Sequence, residues 1–152
     1  MSLNRNPSID MISHPDDGRC PLDYPVLAEE AVRHRALLEI NNNAMRLTNR
    51  LNVEENILTI LALCKEKLHP IVLSSDAHYM NDVGNLDHVL PLLERVNFPE
   101  ELIFNAHPEE FLSWLEENRR LEGKEHNTAL TLSREELADL KEFNQNILTQ
   151  KG

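Results

Sequence analysis

The stretch "HPIVLSSDAHYM", residues 69 to 80, sets a nearly continuous apolar run directly in front of an Asp-x-His pair, Asp76 and His78. A short apolar run without polar alternation, bounded by turn formers, reads as a strand covered on both faces, the signature of a parallel sheet between helices. If the pleat continues through Ala77, the Asp76 and His78 side chains leave the strand's C-terminal end on one side. Carboxylate oxygen together with imidazole nitrogen suits zinc, manganese or iron.

The segments on either side repeat the pattern. "SIDMISH" (8 to 14) reads as a short buried strand that stops at the turn-rich "HPDDG", which puts His14 at a strand end. "DYPVLAEEAVRHR" (23 to 35) opens as a helix at Asp23 and Pro25, and "ALLEINN" (36 to 42) follows as a strand. "NVEENILTILALCKEKL" (52 to 68) has Asn52 as expected N-cap and Glu55 in capping-box register, with Ile57, Ile60, Leu61, Cys64 and Leu68 as its apolar stripe. "LDHVLPLLERV" (86 to 96) has helical periodicity with an expected kink at Pro91. "LIFNA" (102 to 106) reads as a last strand, and "HPEEFLSWLEEN" (107 to 118) as a helix with Pro108 in its first turn.

Strands alternating with helices argue for parallel βα units, with about four strands by this reading. The expected organisation is an α/β domain over residues 4–118, then a polar linker and an appended helix within 119–152, the helix capped by Ser133 with Glu136.

Composition narrows the function. A length of 152 residues, 41% of them hydrophobic, allows one domain with a core, or a piece of one. The net charge of -11 opposes binding to nucleic acid or an anionic membrane surface. Two cysteines far apart, Cys20 and Cys64, fit a reducing cytoplasm better than a disulfide scaffold. No apolar run reaches the ~18 residues of a membrane span. Because "MSLNRNPSID" enters a strand almost at once, the natural protein is expected to begin earlier.

Parallel architectures gather functional side chains where strands end in loops. His14, Asn41, Asn42, Asp76 and His78 fall at such ends, and Glu39 and Asn41 either orient a ligand or satisfy backbone groups. His34, His69, His88, His107 and His126 read as solvated, and Phe111 and Trp114 as core. The chain has no dinucleotide, P-loop, esterase or HExxH zinc motif.

Taken in order, "DMISHP", "LLEINN", "VLSSDAHYMNDVGN" and "FPEELIFNAHPEEFLSWL" resemble the C-terminal part of PHP-domain metal-dependent phosphoesterases of the histidinol-phosphatase-like kind, over roughly residues 8 to 117. The resemblance implies the C-terminal portion of a distorted (β/α)7 barrel whose strand ends hold up to three divalent ions, zinc, manganese or iron. It implies that His14, Asp76 and His78 are metal ligands and that Glu39, Asn41 and Asn42 line the site. The implied reaction is hydrolysis of a small phosphate monoester, in which metals polarise the phosphoryl oxygens and generate hydroxide near neutral pH.

The family's opening HxH ligand pair has no counterpart here, since the chain contains no HxH. The cluster is therefore expected to be incomplete and the chain alone to have little or no activity, with a missing N-terminal half or self-association completing it. The competing readings are a non-catalytic interaction or regulatory module and, less in keeping with the acidic character, a polymerase-associated domain.

Overall fold

The computed structural model describes residues 9–46 and 49–121. The appended helix expected over residues 133 to 150 lies outside them. Four helices, α1 (Tyr24–His34), α2 (Val53–Glu66), α3 (Leu90–Arg95) and α4 (Pro108–Leu121), alternate with strands β1 (Met11–Ile12), β2 (Leu37–Asn41) and β3 (Ile71–Ser74). The three strands form one parallel sheet in the order β1-β2-β3, with Leu37 beside Met11 and Glu39 beside Val72.

All five residues of β2 are buried, as expected of a central parallel strand. The two-residue pleat divides them between two cores. Leu38 and Ile40, with Ile71 and Leu73 of β3, join α1, α2 and α3 in the larger one through Leu27, Ala31, Ile57, Ile60, Leu61, Leu92 and Leu93. Leu37 and Val72 face the opposite way, onto Phe104, Phe111 and Trp114 beneath α4. Each fully buried aliphatic side chain of this kind contributes roughly 1.5–3 kcal/mol.

Four sequence expectations need correction. The fourth strand shrinks to a single parallel bridge, Ile71 to Ile103, between two 3-10 turns at Glu100–Leu102 and Phe104–Ala106. The reason is Asn105, whose carboxamide copies a peptide group: its oxygen accepts from Leu73 N (2.6 Å) and its nitrogen donates to Leu73 O (2.8 Å). A side chain thus satisfies the backbone that a further strand would have paired.

The capping box of α2 does not form, because Asn52 is in the left-handed region (φ 53°) and its side chain makes no cap hydrogen bond. Pro91 starts α3 in its first turn instead of kinking a longer helix. His69 is not solvated but 3% exposed, its Nε2 donating to Ala36 O at 2.9 Å and its ring edge-on to Trp114.

A second knot fixes α4. Arg35, the left-handed C-cap of α1, stacks its guanidinium 4.0 Å over Trp114 and donates to Asn118 (2.8 Å) and Glu117 (2.7 Å). Trp114 Nε1 and the Asn118 amide return hydrogen bonds to Arg35 O. This cation over an aromatic face, desolvated on one side, holds the helix against the sheet.

Burial lowers the His69 pKa from its ordinary 6.5, opposed by the Ala36 hydrogen bond and aided by the Arg35 charge. The unfolded chain therefore binds this proton more readily, and stability falls as pH drops through 6.5. Thermal unfolding of the wild type should lose more between pH 7.5 and pH 5 than that of His69→Gln; equal losses would contradict the assignment.

Candidate metal centre

His14 and Asp76 meet at the C-terminal ends of β1 and β3, with His14 Nε2 3.7 Å from an Asp76 carboxylate oxygen. Both backbones are left-handed, at φ 51° and 46°, a conformation that costs a non-glycine residue about 1–3 kcal/mol and persists only where neighbours enforce it. The enforcing contacts are visible. Glu39 Oε2 accepts from His14 N (2.8 Å) and from Ser13 Oγ (2.5 Å). Asp76 N donates to Ser74 Oγ (3.0 Å), and the Asn43 amide donates to Asp76 O (3.3 Å).

Two donors each about 2.0–2.2 Å from a shared ion lie at most about 4.4 Å apart, so the 3.7 Å pair of His14 and Asp76 fits common coordination. His78 is turned aside: its Nδ1 donates to Asp76 O at 2.8 Å and the ring is exposed. Among the described residues, no group of three or more His, Cys, Asp or Glu side chains is placed to hold one ion. Glu39 is buried beside His14, its Oε2 3.9 Å from Nδ1.

The asparagines of "EINN" serve the scaffold. Asn41 is fully buried, accepts from Ala44 N (2.8 Å) and donates to Glu39 Oε1 (3.3 Å). Asn42 accepts from the backbone of His88 and Val89 (2.9 and 3.1 Å), caps that turn and steadies the entry to α3.

Sequence reasoning missed three residues beside His14. Arg50 donates to His14 Nδ1 at 2.7 Å. Asp16, fully buried, has no hydrogen-bond partner on either carboxylate oxygen and lies 4.0 Å from Arg50. Burial raises its pKa, opposed by a backbone hydrogen bond and by the Arg50 charge. Asp17 lies 4.0 Å from Arg50 and is held down to about 2 by its hydrogen bonds from Arg19. Gly18 lets the two loops touch, since a Cβ there would stand 2.3 Å from Leu51 O. "HPDDG" shows only turn formers, and Arg50 is 36 residues from His14, so no spacing pattern pairs them.

No family model matches the chain. Curated relatives do. A protein of Edwardsiella ictaluri is 38% identical over 111 residues, covering 73% of this chain and 45% of its own length. YcdX of Escherichia coli is 35% identical over 109 residues (72% and 44%), and a protein of Caldanaerobacter subterraneus 34% over 124 (82% and 48%). All are named probable phosphatases. The chain is thus similar to a group of probable phosphatases and spans about half the length of the curated relatives it matches.

Glu39 joins the end of β1 to β2 through charge-assisted hydrogen bonds worth about 1.5–3 kcal/mol each. Glu39→Ala should lower unfolding free energy by about 2–3 kcal/mol in urea titration. An unchanged midpoint would show that His14 is held by other contacts.

Proposed function

We propose that the chain forms part of a metal-dependent phosphoesterase that hydrolyses a small phosphate monoester. The observation that carries this reading is the likeness to probable phosphatases at 34–38% identity, supported by the approach of His14 to Asp76 at the strand ends.

His14 Nε2 and the Asp76 carboxylate would hold a zinc, manganese or iron ion, and His78 would join by swinging its exposed ring inward. When bound, such ions offset phosphate charge and acidify water near neutral pH. The chain's own residues do the positioning. Glu39 fixes the His14 backbone, and Asn43 and Ser74 fix that of Asp76, so two donors are presented from rigid strand ends. Remaining ligands, up to a cluster of three ions, come from sequence beyond this chain or from a second copy.

Large exposed apolar side chains beside the site, Tyr79, Met80 and Val83, fit contact with that missing part. The free Cys20 and Cys64, the latter's thiol pushed up to about 12 by burial, fit a cytoplasmic protein. No described helix is long and apolar enough to cross a membrane. The second reading, an interaction or regulatory module without catalysis, is favoured by the same exposed apolar group of Tyr79, Met80 and Val83.

Titration calorimetry with Zn²⁺ or Mn²⁺ tests the reading. His14→Ala and Asp76→Ala should each weaken binding by about tenfold or more, and the chain alone should turn over p-nitrophenyl phosphate little or not at all. Metal binding indifferent to both substitutions would overturn the site; turnover rivalling a full-length relative would overturn the incompleteness.

A further inference from the structure

The two site histidines are set in opposite ways. His78 Nδ1 lies 2.8 Å from the Asp76 carbonyl oxygen, which can only accept, and 3.5 Å from the Asn43 amide nitrogen; the shorter contact puts the ring proton on Nδ1 and leaves Nε2 a free lone pair. His14 Nδ1 faces the Arg50 guanidinium, which can only donate, so Nδ1 is the acceptor and the proton of the neutral ring sits on Nε2, the nitrogen nearest Asp76.

While Arg50 stays, neither nitrogen of His14 can take a metal. Nδ1 is occupied by the guanidinium N–H. Nε2 is occupied by the proton, and moving that proton to Nδ1 would set two N–H groups against each other. A metal-ligating histidine ordinarily donates its other N–H to a carboxylate or carbonyl, and the carboxylate is already in place: Glu39 Oε2, 3.9 Å from Nδ1.

We infer that Arg50 is an internal latch on the metal site, an intramolecular cation that occupies His14 and must withdraw before a divalent ion binds there. The inference rests on the metal reading above and concerns what this chain does before loading.

The surroundings fit a cation that is held and exchanged. Arg50 is 10% exposed, its Nε has no hydrogen-bond partner, and it stands among Asp16, Asp17 and the His14–Glu39 pair. Asp16 has both oxygens buried and unpartnered. A guanidinium bonded well to one ring nitrogen and loosely to two carboxylates balances charge without satisfying the site. On loading, Arg50 leaves, the ring proton moves from Nε2 to Nδ1 through water with no net proton released, Nδ1–H turns to Glu39, and the Nε2 lone pair is freed beside Asp76.

The test uses the full chain, Zn²⁺ and Arg50→Gln. Calorimetric affinity for zinc should rise by about tenfold in the variant, the scale on which outer contacts shift metal binding; damage to the fold would move affinity the other way. Long-range ¹H–¹⁵N spectra of the metal-free wild type should show His14 protonated at Nε2 and His78 at Nδ1, and zinc should convert His14 to the Nδ1–H form while shifting the Arg50 side-chain signals. Equal or weaker zinc binding by a folded variant, or an Nδ1–H His14 in the metal-free chain, would overturn the latch and leave the metal reading standing. Absence of zinc binding in both proteins would remove both. Should the variant not fold, the wild-type spectra decide.

Discussion

One buried carboxylate organises this end of the molecule. Glu39 sits in a strand whose neighbours are all buried, and its charge is tolerated because Ser13 Oγ, the His14 amide and the Asn41 amide all donate to it. Burying an ion without such donors would cost several kcal/mol. Satisfied in this way, it pins the two residues that follow β1, barely a strand by itself, to the central strand and holds His14 in an unfavourable backbone conformation.

The elements legible in the sequence are those set by local pattern. The apolar runs of β2 and β3, the Asp23 cap of α1 and Pro108 opening α4 all appear where periodicity and turn chemistry place them. What failed to read through depends on partners distant in the chain. Asn105 replaces a strand with a side chain, and His69 sits in the turn between α2 and β3 like a surface residue yet is covered by Trp114 from 45 positions on.

The candidate site divides in the same way. Asp76 and His14 announce themselves as strand-end residues, each two positions beyond its strand, and they approach to 3.7 Å across the end of the central strand β2. The contact between Arg50 and His14 arises because Gly18 lets two loops touch, and a loop-to-loop approach leaves no periodic trace. The likeness to probable phosphatases was legible in the order of the sequence blocks; the guanidinium lodged beside His14 was not.

The Asn105 clasp gives the sheet a direction of growth. With the Leu73 amide and carbonyl both taken by a side chain, and Ile71 bridged to Ile103, the outer border of β3 is sealed against another chain. Among the described residues, the border of β1 is the one left open to a strand that extends the sheet. Growth of the sheet is thereby confined to the flank that carries His14, and the β3 flank offers no free backbone at Leu73 to pair with.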